Sequence, residues 1–341
     1  MEKNICLLLG AGVSVEQKLP DWIALVRGVI EYYNIDLLVD KDNLIESIGI
    51  IEDNRLNEIH SRMKNSETLN INERDWARRK IALAARMCLK KKMMNSTFEE
   101  VVERMELMQK IAQCVYERTQ KGLLTTIITY NFDDYFEFAY KYILKENAQL
   151  HEYSNQLASF SIGDGQQHLP SGTMEEKLIN VYHVHGCIPI FDELYGFKFT
   201  DKSIEEYKHE NFKLYEDYLN RGVIFSGNDY NLLLDDSIVG WTNMIQYICY
   251  SQLPLSIMGF SLTDANFRML LRRMRKSRIS ANDIMIFLGY KDKEGYLQNL
   301  ASSKTAKYLF KGICDEPLFS INKFGADYAK SAKEHLDNYL K

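Results

Sequence analysis

The sequence predicts an α/β protein built on a doubly wound parallel sheet. Short uninterrupted apolar runs end at glycines, as residues 4–9 do at Gly10, and such runs are typical of strands covered on both faces. They alternate with segments whose apolar residues recur every three or four positions, which indicates helices. Hydrophobic residues form 46% and charged residues 26% of the 341, as in an ordinary folded protein. Strands and helices that alternate at this spacing build parallel sheets.

The predicted elements follow one another regularly along the chain. A helix is predicted from Pro20 to about Tyr33, and the helical spacing of residues 40–120 predicts a helical layer inserted into a single domain of residues 1–341. Residues 150–177 are polar and contain several glycines, so they predict a long loop. The remaining predicted strands cover residues 123–129, 178–185, 222–225, 255–258, 283–288 and 318–321. The remaining helices run from the turn at residues 131–133 to about Leu144, and over residues 202–220, 229–250 and 263–275.

Composition and charge argue against several classes of function. With 42 Lys and Arg against 47 Asp and Glu, the formal charge of −5 argues against a nucleic-acid coat, and no direct binding to nucleic acid is expected. No apolar run approaches the ~20 residues that span a membrane, and the N-terminus lacks the length and cleavage site of a signal peptide. The six cysteines lie at least 26 positions apart, so they form neither a local zinc motif nor a disulfide framework. Scattered thiols of this kind indicate a cytoplasmic protein.

Glycines and polar residues follow four of the predicted strands, at the edge where open parallel sheets bind their ligands. The first group is Gly10-Ala11-Gly12-Val13-Ser14, whose small residues and free N–H groups suit the close approach of a phosphate. A tight turn without a ligand explains the same pattern. Val15 stands where the dinucleotide fingerprint has its third glycine, so the sequence departs from the ordinary hydride-transfer motif.

The next two strand ends carry an amide and two imidazoles. Within Thr129-Tyr130-Asn131-Phe132-Asp133-Asp134, Asn131 can hold a ribose hydroxyl or orient a water, and an Asn or Asp cap on the following helix is the alternative. Within Tyr182-His183-Val184-His185-Gly186, one residue separates the two histidines, which predicts that both point to one face of the strand. They can form half of a metal site, or one can be a catalytic base and the other a structural residue.

The fourth strand end is Gly259-Phe260-Ser261-Leu262-Thr263-Asp264-Ala265-Asn266. Gly259 allows a close approach, and the Ser261 hydroxyl can bond a phosphate or a sugar. A strand-to-helix turn capped by Ser261 or Thr263 is the alternative.

Taken in order, these blocks resemble the sirtuin-like NAD-binding family, and more narrowly its bacterial branch found in anti-phage defence. The family pattern GAGxS, Pro-x-Trp, T-x-N-x-D, x-H-G and G-x-S is met by Gly10–Ser14, Pro20-Asp21-Trp22, Thr129–Asp133, Val184–Gly186 and Gly259–Ser261. Gly222–Phe225 followed by Asn228-Asp229-Tyr230 resembles a further stretch of this branch. The resemblance implies a Rossmann-like, sirtuin-like fold.

The resemblance also implies a role for each matching residue. The loop of Gly10, Ala11, Gly12 and Ser14 would hold the pyrophosphate of NAD+, with Pro20, Trp22, Thr129, Gly259 and Ser261 completing the binding set and Ser261 on the phosphate or adenosine side. Asn131 would contact the nicotinamide ribose and place the attacking water, and Asp133 would position the nicotinamide amide. His185 would be the general base, whereas His183 has no assigned role.

One departure from the family decides which activity is expected. Deacetylase sirtuins carry a four-cysteine zinc module after the His-Gly block, but residues 188–248 contain no cysteine. We therefore expect an NAD+ glycohydrolase that needs no metal and releases nicotinamide. A protein deacylase, a catalytically silent NAD-sensing subunit and a metal hydrolase that uses His183 and His185 are the alternatives.

The expected partners rest only on how members of the resembled family are typically regulated, and on no residue of this sequence. An unregulated enzyme of this kind would kill its own cell, so we expect a homo-oligomer gated by a separate regulatory protein. A hexameric DNA-translocase-like ATPase is the candidate partner.

Overall fold

The computed structural model describes residues 4–14, 22–32, 44–64, 81, 84–85, 88, 98–161, 177–188, 223–225, 240–260, 264–277, 284–290 and 318–323. The strands are β1 (Ile5–Leu9), β2 (Thr125–Thr129), β3 (Leu157–Ser161), β4 (Ile179–His183), β5 (Leu255–Met258), β6 (Ile284–Tyr290) and β7 (Leu318–Lys323). The helices are α1 (Trp22–Tyr32), α2 (Leu44–Lys64), α3 (Phe98–Glu103), α4 (Glu106–Thr119), α5 (Tyr135–Glu146), α6 (Tyr153–Gln156), α7 (Gly240–Gln252) and α8 (Ala265–Ser277). Short 3-10 turns cover Ala11–Val13 and Leu150–Glu152.

The seven strands form one sheet in the order β3-β4-β2-β1-β5-β6-β7, and every pairing is parallel. Strands β1, β2, β4 and β5 are buried at every position, because helices cover the sheet on both sides. The sequence prediction of an α/β, Rossmann-like doubly wound sheet is confirmed.

Successive residues of β1 point into two different cores. Leu7 and Leu9 belong to the larger cluster, which α4 and α5 complete with residues such as Ile111 and Tyr140. Leu8 belongs to the smaller cluster, which α7 and α8 complete. These two layers of helices on opposite faces define the doubly wound architecture.

Most of the described residues between β1 and β2 are helical. Helices α2, α3 and α4 lie there, and Ile48 and Ile51 of α2 are buried in the larger cluster. Ile81 and Ala84 are also helical and join the same cluster. The treatment of residues 40–120 as an insertion into a single domain stays a prediction.

Two predictions of local structure are wrong. Within the loop expected at residues 150–177, α6 and β3 are found, and β3 forms the edge of the sheet. Its sequence, LASFS, lacks an apolar run because only its first and last residues are buried. The strand expected at residues 222–225 is not a strand over residues 223–225. Those residues are buried, and the Ile224 N–H donates to the carbonyl of His185 at 2.8 Å.

Several other predicted elements fall partly or wholly outside the described residues. These include the helix over residues 202–220 and the first part of the helix over residues 229–250. Among the helices that the structure does describe, none combines the length and the apolar character needed to cross a membrane.

Candidate active site

The polar residues singled out in the sequence meet at one edge of the sheet. Strand β1 lies in the middle, and the chain first builds β2 and β4 on one side of it and later β5 on the other. Leu9 is level with Thr129 of β2 and Met258 of β5, so the next residue of each strand opens its loop at the same height. A change of direction of this kind in the strand order is where doubly wound sheets bind ligands.

The glycines of the first loop pack against the loop that follows β5. Gly10 N–H donates to Met258 O at 3.0 Å, and Gly12 N–H donates to Gly259 O at 2.8 Å. A Cβ atom on Gly10 would lie 2.6 Å from Gly259 O, and one on Gly12 would lie 2.7 Å from Gly259 Cα. Small residues are therefore required here for contact between two stretches of backbone, whether or not a phosphate approaches.

Most N–H groups of the first loop are used within the protein. Besides Gly10 and Gly12, the N–H of Val13 donates to Gly10 O at 3.1 Å and that of Ser14 to Ala11 O at 3.0 Å. Ala11 lies exposed in this turn. Contact between the loop and a pyrophosphate stays a prediction, and the Ala11 N–H is the backbone donor best placed to make it.

Asn131 ties the loop after β2 to the loop after β1. Its Nδ2 donates to Gly10 O at 3.1 Å and to Ser14 Oγ at 3.3 Å, while its own N–H donates to Thr129 Oγ1 at 3.1 Å. Ser14 Oγ donates in turn to Asp133 Oδ2 at 3.1 Å. The side chain of Asn131 is buried and bonds the first loop, whereas Asp133 accepts an N–H at the start of α5, so the cap alternative holds for the aspartate and not for Asn131.

Asp133 supports the start of α5 and titrates close to neutral pH. Its Oδ1 accepts the Tyr135 N–H at 3.3 Å. Burial raises the pKa of Asp133 to about 6, although the hydrogen bonds from Tyr135 and Ser14 oppose that rise. The carboxyl group can therefore change its protonation state near physiological pH.

His185 is a buried imidazole at the end of β4. It is 5% exposed, and the ring of Tyr130 meets it edge-on with centroids 4.7 Å apart. Its Nε2 lies 3.5 Å from Asp264 Oδ2. Burial lowers the pKa of His185, and the Asp264 carboxylate opposes this only in part. The imidazole is therefore neutral at neutral pH and able to accept a proton.

His183 belongs to a separate buried ion pair. Strand β4 ends at His183, and a turn through Gly186 follows, so the prediction that both histidines share one strand face is wrong. His183 Nε2 lies 2.7 Å from Glu137 Oε1, which also accepts the Ser159 hydroxyl at 2.7 Å. The two histidines therefore have different acidic partners.

The charges on this pair stabilise each other. Burial alone lowers the pKa of His183, but Cys187 and the Glu137 carboxylate raise it well above its ordinary value. Burial raises the pKa of Glu137, yet His183 outweighs this and the net direction is downward. Over the described residues there is no group of three or more His, Cys, Asp or Glu side chains able to hold a metal ion.

The structure brings together most of the residues predicted from the sequence. Those in mutual contact are Gly10, Gly12, Ser14, Thr129, Asn131, Asp133 and Gly259, and His185 joins them through Tyr130 and Asp264. Trp22 begins α1, but its side chain is not among those described. Pro20, Ser261, Gly222 and residues 228–230 lie outside the described residues.

Asp264 is the site residue that sequence reasoning missed. It precedes α8, and its Oδ1 accepts the Phe267 N–H at 2.8 Å, so it caps this helix in place of the expected Ser261 or Thr263. Aspartate is among the preferred N-cap residues, and this preference is the signal that could have found it. The helix cap brings a carboxylate to His185.

Comparison with known proteins identifies the family. No curated protein matches the chain. A family model described as the SIR2-like domain matches residues 125–309, from the start of β2 to beyond β6, and this segment includes Asn131, His185 and Gly259 but not the first loop. Because the match covers more than half of the 341 residues, the chain belongs to the SIR2-like domain family.

Proposed function

We propose that this protein is an NAD+ glycohydrolase, which cleaves NAD+ with water to nicotinamide and ADP-ribose. Membership of the SIR2-like family indicates NAD-related activity. The observation that supports hydrolysis is the presence of a buried neutral imidazole, His185, at the same sheet edge as the Asn131 amide. An orienting amide and a proton acceptor are the two groups that attack by water requires.

The bond that breaks joins the nicotinamide ring to the ribose. Its electron pair leaves with the ring, which becomes neutral, and positive charge develops on the sugar as in glycoside hydrolysis. Water then adds to the sugar and releases a proton. The protein has to orient the ribose and the water and to stabilise the developing charge in a site shielded from bulk solvent.

Each side chain can be given a part in this reaction. The donors of Asn131 are engaged with Gly10 and Ser14, so its Oδ1 would accept a ribose hydroxyl or the attacking water. His185 would take the proton that is released, a step that typically contributes about 10²–10⁴-fold. The Asp133 carboxyl group, which lies beside Ser14, would accept a hydrogen bond from the nicotinamide amide. These hydroxyl, amide and carboxyl groups suit the hydrogen-bonding groups of a nicotinamide riboside.

Water is the proposed acceptor because the sequence lacks the zinc cysteines of deacetylase sirtuins. No cysteine occurs between Cys187 and Cys249. An assay with an acylated lysine peptide and NAD+ tests the alternative, and deacylation faster than hydrolysis would replace our proposal with a deacylase.

The direct test is to incubate the purified protein, alone and with a candidate partner protein, with NAD+ and to measure nicotinamide and ADP-ribose by chromatography. We expect Asn131→Ala and His185→Ala to reduce release by about 10²-fold or more. His151→Ala is the matched control. His151 lies in the 3-10 turn that follows α5, its side chain is 74% exposed, and it is not among the residues of the site. Tight NAD+ binding without any release would favour a sensing subunit, and full activity in both site variants would overturn the residue assignment.

We further propose that the activity is gated in an anti-phage defence system in the cytoplasm. Unregulated cleavage would deplete the NAD+ of the cell that makes the protein, and the five described cysteines are free thiols, as in a reducing compartment. The proposed gate is self-association together with a separate partner, with a hexameric DNA-translocase-like ATPase as the candidate. Light scattering of the protein with and without that partner, read beside nicotinamide release, tests both parts.

A further inference from the structure

We propose that Asp264 is a positioning residue that orients His185 and stabilises the imidazolium formed when His185 accepts a proton. This inference rests on the proposed function, because it concerns the same reaction. It gives Asp264, the residue that caps α8, a part in the chemistry of His185, which lies just beyond the end of β4.

The two side chains form a shielded acid–base pair. Asp264 Oδ2 and His185 Nε2 are 3.5 Å apart, and their side chains are 9% and 6% exposed. An N–H···O hydrogen bond is normally about 2.7–3.2 Å long, so this contact is slightly longer than a formed bond. Catalytic hydrogen bonds are often long without substrate and tighten in the reacting complex.

The backbone fixes the Asp264 carboxylate in place. Oδ1 accepts the Phe267 N–H at 2.8 Å, and the Asp264 carbonyl accepts the Arg268 N–H at 3.1 Å. One carboxylate oxygen is thus held by the helix it caps, and the other faces the imidazole. A carboxylate anchored in this way loses little conformational freedom when it binds the imidazole.

Aromatic rings hold the imidazole from another direction. Tyr130 meets His185 edge-on, and Phe267 meets Tyr130 at a centroid distance of 6.4 Å and an interplanar angle of 89°. Phe260 packs against both Tyr130 and Phe267, at 4.7 and 5.1 Å. The contacts form a closed circuit from Asp264 through His185, Tyr130 and Phe267 back to Asp264.

This circuit determines which nitrogen can act as the base. With Asp264 facing Nε2, the proton of the neutral ring is held on Nε2, and Nδ1 accepts the proton from water or from a ribose hydroxyl. The ring then carries a positive charge, which the nearby carboxylate stabilises in a site of low dielectric. Asp264 takes up no proton in this step, and no covalent bond to it forms.

Asp264→Asn separates this role from helix capping. Asparagine caps helices as well as aspartate does, so the thermal midpoint should stay within about 2 °C of wild type. The rate of nicotinamide release should fall by about 10²–10⁴-fold in kcat with little change in KM. Asp264→Ala removes both cap and carboxylate and should lose stability as well as kcat. If Asp264→Asn retains wild-type kcat, the carboxylate has no part in the reaction.

Nuclear magnetic resonance of ¹⁵N-labelled histidine tests the pairing without any turnover. The His185 signal is assigned from its disappearance in His185→Gln. We expect the Nε2–H tautomer in wild type, and a lower pKa for His185 in Asp264→Asn. The same tautomer and the same pKa in both proteins would overturn the inference. If wild type releases no nicotinamide either alone or with a candidate partner, the proposed function fails, and the resonance measurements still decide whether Asp264 orients His185.

Discussion

Gly259→Ala tests whether backbone packing between two loops supports the site. Gly259 has a φ of +63°, and a Cβ there would lie 2.5 Å from Val13 N and within 3 Å of the Cα and C atoms of Gly12. Gly122 is the matched control, because its φ is +69° and a Cβ there would meet nothing within 4 Å. The two substitutions therefore share the same backbone strain but differ in steric clash.

The expected losses follow from these two contributions. Holding alanine in the left-handed region costs roughly 1–2 kcal/mol of unfolding free energy, which is the loss expected for Gly122→Ala. Overpacking against atoms that cannot rotate away adds about 1–3 kcal/mol, so Gly259→Ala should lose about 2–5 kcal/mol in all. The effect of alanine on the unfolded chain is common to both variants and cancels in their difference.

Urea unfolding of wild type and both variants at one pH measures the two losses. The Val13 N–H that this Cβ would strike donates to the Gly10 carbonyl, which also accepts the Asn131 Nδ2. Nicotinamide release by Gly259→Ala should therefore also fall, whereas Gly122→Ala should stay near wild type. Equal losses of stability in the two variants would refute the reasoning, since strain alone would then account for both.

Three further substitutions test the buried polar groups, each by urea unfolding against wild type. Burial raises the pKa of Asp133 from 3.8 to about 6, so wild type loses stability as the pH rises through that range and this buried carboxyl group ionises. Asp133→Asn should therefore gain about 3 kcal/mol over wild type at pH 7.5 and nothing below pH 3.8. Glu137→Gln should lose about 3 kcal/mol at pH 5.5. That deficit should shrink as the pH falls below 4.5 through the lowered pKa of Glu137, and as it rises above 6.5 through the raised pKa of His183. Asn266 is 2% exposed and neither of its side-chain polar atoms has a partner in the described part of the chain, so Asn266→Leu should gain about 1–3 kcal/mol, and a loss would contradict this account.

The buried strands of the fold could be predicted because their chemistry is uniform. Strands β1, β2, β4 and β5 are buried throughout, and continuous apolar or β-branched runs are the direct consequence. Edge strand β3 could not be predicted, since partial exposure permits small and polar residues. At residues 223–225 a strand is predicted where none is found, because these residues are as buried as a strand but are not part of the sheet.

The candidate site could be predicted to the level of the strand end but not of the side-chain partner. Asn131 and His185 lie at the expected edge because parallel strands end together there. Alternation along a strand placed His183 and His185 on one face, but this rule applies only while the strand continues. Because β4 ends at His183, His185 turns toward Asp264 while His183 faces Glu137. The partner of a side chain at a strand end therefore depends on the exact residue at which the strand ends, which the sequence pattern does not specify.

The loop after β5 connects both halves of the proposed site. At its start, Gly259 packs on Gly10 and Gly12, whose loop holds Asn131, and at its end Asp264 faces His185. The two glycines of the first loop are therefore explained by contact with Gly259, which does not require the third glycine of a dinucleotide fingerprint. A shift of the β5 loop would move the supports of the amide and of the imidazole together. Substitutions at its two ends should accordingly be non-additive in their effect on nicotinamide release, as coupled sites are.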